Sequence, residues 1–185
     1  MKSRFPVIGF TGYLEVGKTT SAEGVLAAAT AAKIPTVKFS FAEPGKMMLE
    51  LIGVPPECLR TEEGKRRPLP EFGGKTGREL MQTLMTDWGR NMVAPDLWVR
   101  VSAGMMLRLV SSNVLCVIDD IRFDNEAAVV SELGGTIIEV TRPGKVRGTH
   151  PSERGIQRDW IDRTLANDGT VADLQALACA ACFTD

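Results

Sequence analysis

A glycine-rich motif near the amino terminus constrains the fold of this chain more than any other feature. Residues Gly12–Thr19 read G-Y-L-E-V-G-K-T and match the pattern G-x-x-x-x-G-K-[ST] in full. A short apolar run at 5–11 precedes the motif and predicts a buried strand, and the alanine-rich stretch at 18–32 predicts a helix. This order predicts a loop whose backbone N–H groups bind phosphate at the N-terminus of a helix.

The side chains of this phosphate-binding loop (the P-loop) have separate expected roles. Lys18 is expected to reach the β- and γ-phosphates of a bound nucleotide, and the Thr19 hydroxyl is expected to bind Mg²⁺. Thr20 adds a hydroxyl toward the α-phosphate, whereas Glu15 is expected to point outward to solvent. The loop residues predicted to bind nucleotide are Gly12, Tyr13, Gly17, Lys18, Thr19 and Thr20.

The rest of the chain alternates predicted strands with predicted helices. Further strands are predicted at 36–42, 113–119 and 136–141, and further helices at 43–52, 76–90, 96–111, 124–133 and from residue 171. This alternation is typical of βαβ units. We therefore predict an α/β fold, a three-layer sandwich with a mostly parallel sheet flanked by helices. Such sheets bind their ligands at the carboxyl ends of the strands.

Composition excludes several classes of protein. The chain has 185 residues, of which 44% are hydrophobic and 24% charged, and its apolar runs are too short to span a membrane. No apolar signal region follows the first residues, so we expect a cytoplasmic protein that does not bind membranes. Four cysteines are too few for a disulfide scaffold. We interpret Cys179 and Cys182 as small helix-packing residues, since a zinc site needs about four ligands.

The distribution of charge along the chain is more informative about a ligand than the net charge is. A net charge of −1 excludes a strongly basic protein that coats nucleic acid, and no extended nucleic-acid binding is expected. Two segments, 60–78 and 142–163, nevertheless each carry six basic and three acidic residues. Two local positive patches on an acidic chain suggest a small polyanionic ligand. Solvated charged loops are the alternative interpretation.

Two carboxylates follow the predicted strand at 113–119. In a P-loop protein, Asp119 and Asp120 at this position are candidate ligands of Mg²⁺ or its water shell. Side chains alternate along a strand, and the sequence leaves open which aspartate faces the ion. Arg122 falls on the same side as Asp120 if the extended geometry continues, which suits a pair that binds metal and phosphoryl group together. The alternative is an ion pair that caps the next helix, where Asp124 and Asn125 are the first candidates for the N-cap.

The predicted helix at 76–90 carries a row of polar side chains. Arg78 and Gln82 are four residues apart and share a helix face. Arg90 lies eight residues after Gln82, which is two further strides of four residues. A guanidinium binds phosphate and an amide binds base edges, so this row suits a second nucleotide site. A solvated helix face is the alternative.

Together these motifs resemble the phage-type deoxynucleoside monophosphate kinase family of P-loop kinases. Besides the P-loop, the resemblance rests on 41–46, 76–78 with Gln82, 87–90, 96–98, 120–126, 150–153 and 167–169, in family order. It implies one kinase domain with an NMP-binding excursion and a lid. The implied divisions are a core at about 5–52 and 96–141, an acceptor-binding region at about 53–95, a lid at about 142–163 and a C-terminal helix at about 171–182.

The resemblance also implies an activity and a site. The implied reaction is Mg²⁺-dependent transfer of the ATP γ-phosphate to a deoxynucleoside monophosphate, for phage DNA precursor synthesis in the host cytoplasm. The implied catalytic residues are Lys18, Asp120, Arg122 and Arg147. The implied acceptor-binding residues are Lys46, Arg78, Gln82, Arg90, Asp96, Trp98, Arg122, Asn125 and Glu153. The arginines expected to close over the phosphates are Arg142, Arg147 and Arg154.

Other interpretations stay open at this point. A P-loop kinase could act on a modified base or an end within DNA, or on a small molecule of the dephospho-coenzyme A type. A nucleotide-binding module without chemistry is a further alternative. The role of His150 is open because Thr149 stands where the family usually has an acidic residue. The accepted base and the oligomeric state, monomer or homodimer, are also open.

Overall fold

The computed structural model describes residues 2–145 and 155–184. Its strands are β1 (Lys2–Ser3), β2 (Val7–Thr11), β3 (Thr36–Phe39), β4 (Pro68–Leu69), β5 (Lys75–Thr76), β6 (Leu115–Ile118), β7 (Thr136–Thr141), β8 (Arg163–Ala166) and β9 (Phe183–Thr184). Its α-helices are α1 (Lys18–Ala31), α2 (Glu43–Leu51), α3 (Glu57–Arg60), α4 (Gly77–Gln82), α5 (Leu97–Ser111), α6 (Asp124–Glu132) and α7 (Val171–Cys182). A π-helix follows α4 over Thr83–Val93, and 3₁₀ turns occur at Gly64–Arg66, Pro70–Phe72 and Arg158–Trp160. The predictions for Arg147, His150, Glu153 and Arg154 lie outside the described residues.

Five strands form one parallel sheet, which confirms the predicted fold class. Their order is β3-β6-β2-β7-β8. Ile8 of β2 pairs with Val117 of β6 on one side and with Thr136 of β7 on the other, so β2 is the central strand. After β2 the chain forms β3 and β6 on one side and then crosses to β7 and β8. The P-loop after β2 therefore lies at the topological switch point, where open α/β sheets bind ligands.

The core explains why β2 reads as a continuous apolar run. Both faces of a parallel sheet are covered by helices, so side chains on either face of the strand must be apolar. All five residues of β2 are buried. Helices α1 and α7 pack closely against each other at Gly24. A Cβ atom at this position would lie only 2.8 Å from the Cβ of Gln175. The helix residues buried in this core include Ala22, Val25, Ala29, Leu174 and Ala178.

The two cysteines of α7 are packing residues, as predicted. Cys182 is fully buried in the core, and burial raises the pKa of its thiol to about 12. The Cys179 thiol donates to the carbonyl oxygen of Gly24 at 3.4 Å. A thiol with a raised pKa is a poor nucleophile and a poor metal ligand at neutral pH.

The described chain forms two compact units. The first unit is residues 1–40 with 103–185, and it contains the five-stranded sheet. The second unit is residues 41–102, which is mainly helical and has an apolar core of its own. That core contains Leu49, Val54, Cys58, Leu59 and Leu69. The division of the chain into kinase core, acceptor-binding region and lid stays a prediction.

Two differences from the sequence prediction concern the sheet and the helix predicted at 76–90. β8 adds a fifth strand to the sheet, at Arg163–Ala166, where the sequence predicted none. It lies at the sheet edge and is mostly exposed, so it lacks the apolar run that marks a buried strand. The helix predicted at 76–90 is α-helical only to Gln82 and π-helical from Thr83. The strides of four that aligned Arg90 with Arg78 and Gln82 assume an α-helix throughout, and that assumption is wrong.

No helix among the described residues combines the length and the apolar character needed to cross a bilayer.

Candidate phosphate-binding site

The P-loop joins β2 to α1, and its path depends on two glycines. Gly12 has φ of 132° and Gly17 has φ of 110°, values that residues with a Cβ rarely adopt. A Cβ at Gly12 would also lie 2.3 Å from the carbonyl oxygen of Val140, and one at Gly17 would lie 2.7 Å from the amide nitrogen of Asn167. Both positions therefore require glycine for conformational and for steric reasons.

Asn167 follows the edge strand β8 and connects the P-loop to the carboxyl end of β7. Its side-chain amide donates to the carbonyl oxygen of Val16 at 2.8 Å, and its backbone N–H donates to the carbonyl oxygen of Thr141 at 2.8 Å. Asn167 lies in the segment 167–169 of the family resemblance, but no role was predicted for it. Since 151 positions separate it from Val16, no local pattern marks this contact.

Lys18 is held inside the loop. Its ammonium donates to the carbonyl oxygens of Gly12 at 2.9 Å and Tyr13 at 2.7 Å. Burial lowers the pKa of Lys18, while the Asp120 and Asp119 carboxylates act in the opposite direction. Lys18 and the two candidate metal-binding carboxylates are thus within electrostatic range of one another. A partly desolvated ammonium favours an incoming anion more strongly than one in water.

Thr19 and Asp119 form a pair of oxygen groups at the carboxyl end of the sheet. The Thr19 hydroxyl donates to Asp119 Oδ2 at 3.3 Å, and the Lys38 ammonium lies 2.6 Å from the same oxygen. Hydroxyl and carboxylate oxygens are the hard ligands that Mg²⁺ prefers, and Mg²⁺ usually takes only one or two of them from protein. These two residues therefore fit an ion that completes its shell with phosphate oxygens and water. Among the described residues, no group of three or more acidic, histidine or cysteine side chains forms a closed metal cage.

Asp120 pairs with Arg122, which confirms that the two side chains share one side. Arg122 Nε donates to Asp120 Oδ2 at 2.6 Å. The turn that presents Arg122 is fixed by Glu126, whose carboxylate is only 5% exposed and accepts the backbone N–H groups of Arg122 at 2.9 Å and Phe123 at 3.3 Å. A buried carboxylate with two backbone donors is a rigid support. Glu126 was missed as a site residue, although it is the last residue of the segment 120–126, on which the family resemblance partly rests.

The N-cap prediction at the start of α6 is wrong for Asp124 and Asn125. The helix begins at Asp124, so both residues lie in its first turn, and Phe123 precedes it. The Asp124 carboxylate accepts instead from the backbone N–H of Gln157 at 2.8 Å and from its side-chain amide at 2.9 Å. These bonds tie residue 157 to the N-terminus of α6.

Glu15 in the P-loop points outward, as expected, and forms an ion pair. Its carboxylate lies 2.6 Å from the Lys145 ammonium, and the hydrogen bond from Lys145 lowers the pKa of Glu15. Arg142 lowers the same pKa through its charge, which puts this predicted nucleotide-binding arginine within electrostatic range of the loop. Glu15 also has φ of 57°, a left-handed backbone conformation that is uncommon for glutamate.

The second unit carries six of the nine predicted acceptor side chains, which are Lys46, Arg78, Gln82, Arg90, Asp96 and Trp98. Arg78 and Gln82 are exposed on α4, which begins with a capping box between Thr76 and Glu79. The Arg78 guanidinium lies 2.9 Å from the carboxylate of Glu62. Further ion pairs in this unit include Lys46–Glu43, Arg60–Glu43, Arg60–Glu50, Lys65–Glu62, Arg67–Glu57 and Arg100–Asp96. Much of the positive charge counted in segment 60–78 is therefore already balanced.

Comparison with known proteins identifies the family. A family model described as deoxynucleotide monophosphate kinase matches residues 75–177, which is more than half of the chain. A protein of Acanthamoeba polyphaga mimivirus with the same description is 31% identical over 190 residues, covering 94% of this chain and 95% of the relative. The chain belongs to the deoxynucleotide monophosphate kinase family. The deoxynucleotide monophosphate kinase of Enterobacteria phage T4 is also similar, at 34% identity over 99 residues, 52% of this chain and 41% of the T4 protein.

A solved structure agrees on the fold of this family member. The chain is similar to the APS kinase of Mycobacterium tuberculosis with a TM-score of 0.51 and 13% identity, over 97% of both chains. At this identity the likeness shows the fold alone, and it is the P-loop kinase fold predicted from the sequence.

Trp98 has a structural position in this member of the kinase family. It is 2% exposed, and its indole N–H donates to the carbonyl oxygen of Met85 in the π-helix at 2.8 Å. A Cβ at Gly89 would lie 2.4 Å from the Trp98 indole nitrogen, so the π-helix packs directly on this ring. Trp98 thereby supports the segment that carries Arg90. Direct contact between Trp98 and an acceptor stays a prediction.

Proposed function

We propose that the chain is an ATP-dependent deoxynucleoside monophosphate kinase. It transfers the γ-phosphate of ATP to a deoxynucleoside monophosphate, giving the diphosphate and ADP, in a Mg²⁺-dependent reaction for phage DNA precursor synthesis in the host cytoplasm. The observation that carries the proposal is the joint position of Lys18, Thr19 and Asp119 at the carboxyl end of the sheet, in a member of the deoxynucleotide monophosphate kinase family.

The proposed donor site is the P-loop. Lys18 exchanges its bonds to the Gly12 and Tyr13 carbonyl oxygens for bonds to the β- and γ-phosphates of ATP. The exchange is favourable because a carbonyl dipole is a weaker partner for a desolvated ammonium than a charged phosphate is. The N-terminus of α1 adds the positive end of a helix dipole, and no acidic residue in its first turn offsets it.

The residues that fit Mg²⁺ are Thr19 and Asp119. We assign Asp119 to the metal because it contacts Thr19, whereas Asp120 is engaged with Arg122. When bound, the ion neutralises charge on the β- and γ-phosphate oxygens. The Thr19 hydroxyl and the Asp119 carboxylate orient those oxygens relative to Lys18.

The proposed acceptor residues on the second unit are charged and polar side chains. Arg78 and Arg90 bind the acceptor phosphate, and the Gln82 amide binds the base. A phosphate oxygen is already nucleophilic at neutral pH, so the reaction needs no general base. Arg122 neutralises charge on the transferring group, and Arg142 and Arg147 are assigned to the donor phosphates. The remaining members of the proposed acceptor set are Lys46, Asp96, Trp98, Asn125 and Glu153.

Truncation of Arg78 tests the acceptor assignment. In Arg78→Ala the KM for the deoxynucleoside monophosphate should rise about 10- to 100-fold, the loss expected for one charge-assisted hydrogen-bonding group. The KM for ATP should change little, because Arg78 is not part of the P-loop. Steady-state kinetics with each substrate varied in turn measures both values. The control is Arg66→Ala, which removes the same group from an exposed turn of the same unit. Equal losses for both substrates would contradict the assignment.

A coupled assay of ADP formation tests the reaction itself. The purified chain, ATP and Mg²⁺ are mixed with each of the common deoxynucleoside monophosphates, with a DNA duplex, or with no acceptor. Turnover that depends on one or more monophosphates supports the proposal and identifies the accepted bases. Turnover with DNA alone would indicate that the phosphate acceptor is a modified base or an end within DNA. Acceptor-independent ADP formation, or none at all, would favour a nucleotide-binding module.

A further inference from the structure

The carboxylate assigned to the metal already has a cation beside it. Lys38 Nζ lies 2.6 Å from Asp119 Oδ2, the same oxygen that accepts from the Thr19 hydroxyl. Lys18, the other ammonium in this region, donates to the carbonyl oxygens of the P-loop. Lys38 therefore places a positive charge directly against the Asp119 carboxylate.

The sheet explains how Lys38 reaches this position. Lys38 lies on β3, the edge strand next to β6, and pairs in register with Val117. Paired residues on neighbouring parallel strands project from the same face, and so does the residue two positions further along a strand. Asp119 is two positions after Val117, so Lys38 and Asp119 share one face at the carboxyl end of the sheet. No local sequence pattern marks Lys38, because its partner follows a different strand.

Lys38 and a bound Mg²⁺ would compete for one carboxylate oxygen. Asp119 is only 17% exposed, so charges around it are weakly screened and two cations on Oδ2 would repel each other. The Lys38 side chain is 45% exposed, so its ammonium is free to turn toward water when a metal arrives. The ion pair holds Asp119 beside Thr19 before the metal binds.

We propose that Lys38 is a built-in competitor of Mg²⁺ at Asp119, and that it sets how strongly nucleotide binding depends on the metal. The inference rests on the proposed function, because it takes Asp119 and Thr19 as the metal ligands. Without metal, Lys38 neutralises Asp119 and so reduces the repulsion between that carboxylate and the nucleotide phosphates. With metal, Lys38 must give up its bond to Asp119, which weakens metal binding. Lys38 is thus a positioning residue rather than a catalytic one.

Binding of a fluorescent nucleotide tests this directly. The dissociation constant of N-methylanthraniloyl-ADP is measured by fluorescence titration, once in EDTA and once in saturating Mg²⁺. The informative quantity is the dissociation constant in EDTA divided by the dissociation constant in Mg²⁺. This ratio measures the coupling between metal binding and nucleotide binding. In Lys38→Met, binding in EDTA should weaken and binding in Mg²⁺ should hold or tighten. The ratio should therefore rise about tenfold, within the usual range of such couplings.

Two further variants separate the effect of this charge from general effects. Lys38→Arg keeps a cation at the site and should keep a ratio close to that of the unsubstituted protein. Lys33→Met removes the same group from the exposed turn before β3, at the opposite end of that strand, and should leave the ratio unchanged. Thermal unfolding of each variant confirms that the sheet is intact. Lys38 is a partly exposed edge residue, so its replacement should not unfold the protein.

The outcomes distinguish this inference from the proposed function. An unchanged ratio in Lys38→Met, or an equal rise in Lys33→Met, would overturn the role of Lys38 even if the protein phosphorylates deoxynucleoside monophosphates. Equal weakening of Lys38→Met in EDTA and in Mg²⁺ leaves the ratio unchanged and has the same meaning. A raised ratio in a protein without monophosphate-dependent turnover would instead support Lys38 and reject the kinase reaction.

Discussion

Replacement of Lys18 by methionine is expected to reduce phosphoryl transfer about 10³-fold, which corresponds to about 4 kcal/mol of transition-state stabilisation. The Lys18 ammonium lies inside the P-loop on the carbonyl oxygens of Gly12 and Tyr13, with a pKa lowered by burial. A charge in such a position is preorganised and poorly screened, so it stabilises the phosphates far more than a surface lysine does. Methionine keeps the length and apolar stem of the side chain, and the loss therefore measures the charge. The measurement is kcat for ADP formation with a saturating acceptor.

A matched substitution elsewhere on the same unit controls for a simple loss of charge. Lys33→Met removes an ammonium from an exposed turn and should retain wild-type kcat. The Lys18→Met protein should also show a normal unfolding transition, since Lys18 is the first residue of α1 and its stem is retained. Retention of wild-type activity in Lys18→Met would reject the assignment of the loop as the ATP site.

Replacement of Gly12 by alanine is expected to lower the free energy of unfolding by about 3 kcal/mol or more and to abolish nucleotide binding. Two independent costs add at this position. The backbone has φ of 132°, and the new Cβ would lie 2.3 Å from the Val140 carbonyl oxygen. That oxygen belongs to β7, which pairs with β2, so neither partner can move without disturbing the sheet. Urea-induced unfolding and titration with the fluorescent ADP measure the two effects.

Gly144 provides the control, because it separates strain from steric clash. It also has a positive φ, of 78°, but a Cβ there would meet nothing within 4 Å. Gly144→Ala should therefore cost only about 1 kcal/mol, the usual price of a left-handed backbone at a residue with a side chain. Similar losses of stability in the two variants would contradict the steric argument at Gly12, and so would normal nucleotide binding by Gly12→Ala.

The features that were predictable from sequence are those that a short segment dictates by itself. The P-loop is one example, because a close approach of backbone to phosphate requires glycines at fixed spacing between a strand and a helix. The central strand is another, because β2 is buried along its whole length and is therefore apolar up to its last residue, Thr11. The parallel sheet followed from the alternation of such segments, and the same-side placement of Asp120 and Arg122 followed from their spacing of two.

The features that were not predictable depend on partners distant in the chain or on packing. β8 is an exposed edge strand whose neighbour supplies its register, so its own sequence carries little signal. The π-helix over Thr83–Val93 packs against Trp98, and an amphipathic pattern alone did not distinguish it from a continued α-helix. The positive charge counted over 60–78 was an overestimate of the free charge, because neighbouring carboxylates balance much of it.

The sequence by itself thus determined the fold class, the phosphate-binding loop and the identity of the residues that follow the strands. These features depend on the backbone conformation and the burial of short segments, so consecutive residues are enough to predict them. Only the tertiary structure decided how these parts meet. It placed Asp119 beside Thr19 across 100 positions, Asn167 on the P-loop across 151, and Lys145 on Glu15 across 130. It also placed Lys38 on Asp119, through the pairing of β3 with β6. Such contacts are set by the order and register of the strands, which a local pattern does not encode.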